Sequence, residues 1–392
     1  VLKGRKILIG ITGSVAAYKA IELIKELKKE GATVKALMTE SSKRFVTPLS
    51  IEIATENEVF CDMFQLPFSH IDLVKEVDLF IVAPATANII GKYANGIADD
   101  LLSTSLLVFN GRPIFVPAMN WRMYENPVVQ KNIQHLSAMG VKFVGPERGK
   151  LACGEEGIGR MAKIESIVES IKTAFTKQDL SGECVLVTAG PTREYIDPIR
   201  YISNRSSGKM GYAIAKVAKR RGAEVTLISG PVSLPYPEGI EVIRVESAEQ
   251  MREAVLDNVS ISTIFIMAAA VSDFAPAETK STKIEKKESL SIELLKTPDI
   301  LEEAAKFKNR PFIVGFSAET GNRIDRARKK LKSKNVDMIV FNDVSKSSSG
   351  FDVDTNEVVL IDRESEIKLP LMTKEEIAYI LLDRIIELKC RG

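Results

Sequence analysis

The phrase GATVKALMT at residues 31–39 returns, with small changes, as GAEVTLISG at 222–230. Each copy closes the same longer pattern: a short apolar run, a glycine-containing turn, an amphipathic helix, a glycine and a second apolar run. In the first copy a strand over Lys6–Ile11 precedes a helix to about Glu30, where Ala17, Ala20, Ile21, Ile24 and Leu27 recur at helical spacing. Lys25, Glu26, Lys28 and Lys29 fill its other face, Gly31 ends it, and a strand over Thr33–Met38 follows. The second copy reads as strand Cys184–Ala189, helix Gly208–Arg221 and strand Val225–Ser229. A βαβ opening used twice predicts two domains, 1–178 and 179–392. Further apolar runs at Leu79–Ala83, Ile114–Val116 and Val141–Val144 alternate with helical stretches. That alternation predicts an α/β protein: two Rossmann-like domains with mainly parallel sheets covered by helices.

Composition narrows the function classes. A net charge of +2 gives no electrostatic case for a nucleic-acid or membrane partner. Lys3, Arg5 and Lys6 are followed by too few apolar residues for a secretory signal, and no run approaches the roughly 20 residues of a membrane span. Four cysteines without metal-ligand spacing and two histidines argue against a zinc site. A reduced, cytoplasmic enzyme is expected.

Several stretches carry chemistry. ILIGITGSVAAYKA (7–20) leads a strand through glycines into a helix, the way backbone N–H groups are presented to a phosphate. The dinucleotide fingerprint G-x-G-x-x-G is absent, because Thr12 stands at its second glycine. PATANIIGKYANGIADDLLS (84–103) puts Thr86 and Asn88 at a strand's end, to meet a ring or phosphate, with helix capping by Thr86 as the plainer reading. PAMNWRMYENP (117–127) is either a rigid turn or a site in which Asn120 offers amide donors to a carboxylate. In LACGEEGIGRM (151–161) the glycines predict a mobile loop, where the Cys153 thiol suits proton delivery or covalent work. His70 in PFSHIDL is either an acid–base group or a satisfied structural histidine. The second copy carries an irregular insert, GPTREYIDPIRYISNRSS (190–207), of the kind that is usually functional. FIMAAAVSDF (265–274) ends in small residues that let backbone approach a ligand, and KSTKIEKK (280–287) reads by itself as a solvated lysine run.

In register over essentially the whole chain, these motifs resemble the bifunctional phosphopantothenoylcysteine decarboxylase/phosphopantothenate–cysteine ligase family of coenzyme A biosynthesis. ITGSVAAYK, PATANIIGKYANGIADDLL, PAMN and ACGEEGIGRM look like its flavin-dependent, flavodoxin-like decarboxylase half. GPTREYIDPIRYISNRSSGKMG, AAAVSDF, GFSAET and NDVS look like its ligase half. The chain departs from the family pattern at Ser272, where alanine is usual, and in KIEKK, which matches at Lys283 but blurs the assignment of Lys286 and Lys287.

The resemblance implies FMN, whose single terminal phosphate needs no second glycine. Gly13 and Ser14 would bind that phosphate, with Thr39, Thr86 and Asn88 as flavin neighbours. It implies oxidation of the cysteine side chain to a thioaldehyde, so that the charge left by CO₂ spreads onto sulfur. His70 assists early proton handling, Asn120 holds the substrate carboxylate, and Cys153 protonates the enethiol under a closing flap. For the ligase it implies that 4′-phosphopantothenate is activated as an acyl-nucleotide, releasing pyrophosphate, and that cysteine then displaces the nucleotide. Lys283 neutralises charge at the α-phosphate, helped by Lys330, Lys334 and Mg²⁺ held mainly by nucleotide phosphates. Asn204 holds the intermediate and Arg200 contacts it; Ala268, Ala269 and Asp273 frame the base, with Phe316 stacking nearby. Fusion of both halves favours CTP over ATP. The family also implies a homo-oligomer, with trimeric contacts in the first half and dimeric ones in the second.

Two other readings compete. An NAD-dependent oxidoreductase predicts the missing fingerprint and an acidic residue at the second strand's end, which Thr39-Glu40 suits only faintly. A non-catalytic flavin-binding regulatory protein would not need Asn120, Cys153, Asn204 and Lys283 together.

Overall fold

The computed structural model describes residues 1–65, 67–286, 288–321, 323–345 and 353–391. The chain divides into two units, Val1–Thr176 and Lys177–Gly392. In the first, β1 (Lys6–Ile11), β2 (Thr33–Met38), β3 (Val59–Phe60), β4 (Leu79–Ala85), β5 (Ile114–Pro117) and β6 (Lys142–Phe143) form a parallel sheet among the described residues. Their order is β3-β2-β1-β4-β5-β6. Ile7, Ile9 and Ile11 enter one core and Leu8 the other, because successive side chains point to opposite faces and helices cover both. Each such buried side chain contributes about 1.5–3 kcal/mol, so a continuous apolar run is what this strand requires. An antiparallel hairpin of β7 (Glu147–Lys150) and β8 (Glu156–Arg160) stands outside the sheet, with Cys153 in its turn.

The second unit starts with β9 (Cys184–Ala189). The 190–207 insert is more regular than the sequence suggests: β10 (Arg193–Tyr195) and β11 (Tyr201–Ser203) pair as an antiparallel hairpin. Then come β12 (Glu224–Ser229), β13 (Glu241–Arg244) and β14 (Ile264–Met267), and a second small pair, β15 (Phe274–Pro276) with β16 (Leu294–Lys296). Next in the chain are β17 (Phe312–Glu319), β18 (Met338–Asp343), β19 (Thr355–Asn356), β20 (Val358–Asp362), β21 (Glu366–Lys368) and β22 (Met372–Thr373). The main sheet runs β13-β12-β9-β14-β17-β18-β20-β21. It is parallel through β18, and only β20 and β21 join antiparallel. Val185 and Val187 face one core and Leu186 the other, as in the first unit. In both sheets the first strand lies between the second strand of the βαβ unit and a later one. The order therefore reverses beside β1 and beside β9, and such a switch point opens a crevice at the carboxyl ends of the strands.

Candidate functional sites

At the first switch point, Thr12 explains its own presence. Its buried hydroxyl donates to the Pro84 carbonyl at 2.7 Å and accepts from the Thr86 N–H at 3.2 Å. A glycine at this position would remove both bonds to the end of β4. Gly13 follows because the chain after β2 lies against it: a Cβ there would sit 2.5 Å from that of Ser41. Thr39 joins the same group through its N–H, which donates to the Ile11 carbonyl at 3.1 Å. Ser14 caps a short 3₁₀ turn, Val15–Tyr18, which precedes the α-helix Lys19–Lys29. The expected single helix is thus tighter at its start. Ser14 Oγ accepts from Ala16 N at 3.4 Å and donates to the Ala118 carbonyl at 3.2 Å. Thr86 occupies the N-cap position of helix Ala87–Ala94, yet its side chain makes no capping bond. Capping therefore does not explain this threonine. Asn88 is exposed on the same helix.

Beside Ser14 opens a cavity of roughly 600 Å³, lined also by Tyr18, Lys19, Asn120, Lys150, Cys153 and Arg160. That volume lies in the range of small-ligand sites. Asn120 shows that the turn and site readings of PAMN are compatible. Its Oδ1 caps helix Trp121–Tyr124 by accepting from Arg122 N at 2.9 Å, which aims Nδ2 at Cys153 Sγ, 3.5 Å away. The β7–β8 hairpin is held to this loop through Gly159, where a Cβ would lie 2.1 Å from the Met119 carbonyl oxygen. Ser14, Asn120 and Cys153 thus meet at one cavity. His70 does not line it. It sits on helix Ser69–Lys75, and its Nδ1 is buried without a hydrogen-bond partner among the described residues.

At the second switch point the insert is bonded to the end of β14. Ala270 N donates to the Gly190 carbonyl at 2.9 Å, and Asn204 Nδ2 donates to the Ala270 and Val271 carbonyls at 3.3 and 2.8 Å. Ala268 and Ala269 are half-buried there, and Asp273 is exposed. Ser272 is buried with its hydroxyl unpartnered among the described residues, so an alanine, as in the family pattern, would leave no polar atom to satisfy. Lys330 donates to the Phe316 carbonyl at 2.8 Å, and burial pushes its amine below the usual lysine range, against the pull of Asp299 and Asp273. Lys334 is engaged elsewhere. It pairs with Asp299 at 2.5 Å and Glu302 at 3.0 Å, and Lys306 and Lys334 together lower Glu302 to about 2. Its charge is balanced by those carboxylates, which weakens its expected role toward a nucleotide.

Lys283 is exposed in an irregular segment, and Lys287 lies outside the described residues. The segment is nevertheless fastened to the insert. Buried Asp197 accepts from the N–H groups of Ile199 and Arg200, each at 2.8 Å, and of Ile284 at 3.2 Å. Arg200 donates to Asp197 and to the Ile284 carbonyl, both at 3.2 Å. Burial pushes the Asp197 carboxyl up, but these N–H bonds and the Arg200 charge hold it below its usual range. Lys280 N and the Thr279 hydroxyl add bonds to the Ile196 and Tyr195 carbonyls. Sequence reasoning assigned no role to Thr12 or to Asp197. The i, i+3 spacing of Asp197 and Arg200 was the available signal for the last. A separate cavity of about 770 Å³, lined by Arg328, Lys332, Asp362 and Arg363, contains none of the expected ligase residues.

Two family models divide the chain: "Flavoprotein" over residues 1–176 and "DNA/pantothenate metabolism flavoprotein C-terminal domain" over 180–388. The fold and first site accordingly define a flavoprotein of the α/β class fused to a second α/β domain. The chain is 46% identical to the coenzyme A biosynthesis bifunctional protein CoaBC of Bacillus subtilis, over 99% of this chain and 98% of that protein. It is 45% identical to the Haemophilus influenzae CoaBC and 43% to that of Escherichia coli K12, covering 98% of this chain in each case and 98% and 97% of the relatives. A solved C-terminal domain of a CoaBC aligns at 40% identity with a TM-score of 0.48, over 55% of this chain and all of that one. The chain belongs to the CoaBC family of bifunctional coenzyme A biosynthesis enzymes, which combine phosphopantothenate–cysteine ligase and phosphopantothenoylcysteine decarboxylase activities.

Proposed function

We propose that residues 1–178 decarboxylate 4′-phosphopantothenoylcysteine with FMN, and that residues 179–392 first make this substrate from 4′-phosphopantothenate, cysteine and CTP. The observation that carries the reading is the meeting of Ser14, Asn120 and Cys153 at one cavity beside the β1/β4 switch point. Gly13, Ser14, Thr39, Thr86 and Asn88 would hold FMN. The close approach at Gly13 and the uncapped hydroxyl of Thr86 suit such a ligand. Bound FMN would supply a reversible two-electron oxidation, which gives the carbanion of decarboxylation a sulfur-stabilised form. Asn120 orients the substrate carboxylate through its amide donors. Cys153, in the hairpin turn, delivers a proton to the enethiol carbon, and the hairpin limits water. The early proton is assigned to His70, which lies outside this cavity within a single chain.

In the second half, Lys283 places a positive charge against the α-phosphate while the carboxylate attacks, with Lys330 as a helper, and Mg²⁺, which the nucleotide phosphates would hold, would supply further charge neutralisation. Asn204 and Arg200 face the acyl-nucleotide, and Ala268, Ala269, Asp273 and Phe316 frame the base. Asp197 supports this by fastening the segment that carries Lys283. The assembly is a homo-oligomer with trimeric contacts through the first half and dimeric contacts through the second.

The purified full-length protein should be yellow, with oxidised-flavin absorbance, and denaturation should release FMN at about one per chain, read by absorbance and mass. A protein that binds NAD and no flavin would overturn the assignment.

A further inference from the structure

One carboxylate with no role so far reaches the polar groups at the cavity's edge. Glu155 Oε2 accepts from Trp121 Nε1 at 2.8 Å and from Asn120 Nδ2 at 3.3 Å, and the Cys153 thiol donates to it at 3.9 Å. Its Oε1 accepts from the Arg122 guanidinium at 3.1 Å. The bonds from Trp121 and Asn120 hold this carboxyl below the usual range, so it is an anion at neutral pH. The side chain is 40% exposed, so water screens the contact and solvates the carboxylate as it leaves.

The position is the informative part. Asn120 has two amide hydrogens, and in this structure they are directed at Cys153 Sγ and Glu155 Oε2. Under the proposed function the same amide receives the carboxylate of the substrate. Two carboxylates at this amide disfavour one another, because their like charges repel at contact distance. We infer that Glu155 is a built-in occupant of the substrate-carboxylate position. With no substrate it holds Asn120 and Cys153 together, and it yields Asn120 when the substrate's own carboxylate arrives. Loss of CO₂ removes the competing charge and lets Glu155 return. The product, which has no carboxylate, does not contest the position. Glu155 is thus a positioning residue that also sets how tightly a carboxylate-bearing ligand binds relative to its decarboxylated product.

This inference rests on the assignment of Asn120, and the test separates the two. Full-length, flavin-loaded wild type, Glu155→Gln and Asn120→Ala are compared for KM with 4′-phosphopantothenoylcysteine and for inhibition by 4′-phosphopantetheine. Flavin absorbance checks that each variant is folded. Glutamine keeps the shape and an acceptor for Trp121 but removes the competing charge. KM should fall about three- to fivefold, the scale of an exposed charged contact, while the product's inhibition constant stays the same. Asn120→Ala should raise KM. If Asn120→Ala raises KM but Glu155→Gln leaves it unchanged or raises it, the inference is wrong and the Asn120 assignment stands. A parallel fall in KM and in the product's inhibition constant also refutes it, since that reports a loosened hairpin. If Asn120→Ala leaves KM unchanged, the Asn120 assignment and the inference fall together.

Discussion

Cys153→Ser should complete the oxidation and CO₂ loss of one turnover and then stop. A serine hydroxyl keeps the shape but is a far weaker acid than a thiol, whose ordinary pKa is about 8.5. Loss of a positioned general acid costs on the order of 10²–10⁴ in rate, so the saturated thiol should form at no more than about 1% of the wild-type rate. The two side chains bonded to the thiol do not substitute for it. Asn120 is an amide, and Glu155, the carboxyl beside Cys153, is held ionised by its donors. Under anaerobic stopped flow the oxidised-flavin band should bleach and not recover, and mass spectrometry should find the enethiol, two hydrogens short of product. Ligase turnover should be unchanged. Rapid multiple turnovers to the saturated thiol would remove Cys153 from the donor role and leave it as a hairpin-turn residue.

Lys283→Gln should suppress pyrophosphate release by about 10²-fold or more, the usual consequence of removing one preorganised charge from a phosphoryl transition state. Lys330 cannot replace it. Lys330 is half-buried, tied to the Phe316 carbonyl and shifted toward its neutral form, while Lys334 stays charged but is already paired with Asp299 and Glu302. Decarboxylation of supplied 4′-phosphopantothenoylcysteine should persist, since its residues lie in the other unit. Asn204→Asp should act later in the same reaction, slowing conversion of the acyl-nucleotide by setting a carboxylate beside an acyl-phosphate. Pyrophosphate release by Lys283→Gln at the wild-type rate would exclude the charge role. Loss of decarboxylation in either variant would indicate misfolding.

The strands that open each unit were legible because burial on both faces demands an uninterrupted apolar run. Lys6–Ile11 and Cys184–Ala189 appear with the expected bounds, as does Thr33–Met38, whose outer end instead alternates exposed Thr33 and Lys35 with buried Val34 and Ala36. The hairpin within the 190–207 insert was not legible. Its strands are three residues each, REY and YIS, too short to show a period, and they are held by one Tyr195–Tyr201 ring contact and by hydrogen bonds, several of them to distant segments. The antiparallel β20 and β21 also escaped, although they form a local hairpin closed by Asp362, which accepts from the N–H groups of Glu364 and Ser365, and only the pairing of β20 with β18 depends on a segment distant in sequence. At the sites, the motifs located Asn120 and Cys153 but not the carboxylate that joins them, because no spacing rule relates Glu155 to Trp121 or Asn120. Thr12 looked like a defect in a fingerprint. Its two hydrogen bonds to the end of β4 become visible only when the sheet order puts β4 beside β1.

The claim that one chain joins and then trims the same molecule is tested most directly by a single incubation. The full-length protein is given 4′-phosphopantothenate and cysteine labelled at its carboxyl carbon, with either CTP or ATP. Pyrophosphate and labelled CO₂ are followed separately. With CTP, pyrophosphate should appear first and CO₂ should follow to the same final amount, with 4′-phosphopantetheine as the accumulated product; turnover with ATP should be slower. Pyrophosphate release without CO₂ from a flavin-loaded protein, or CO₂ from cysteine in the absence of any nucleotide, would contradict the account.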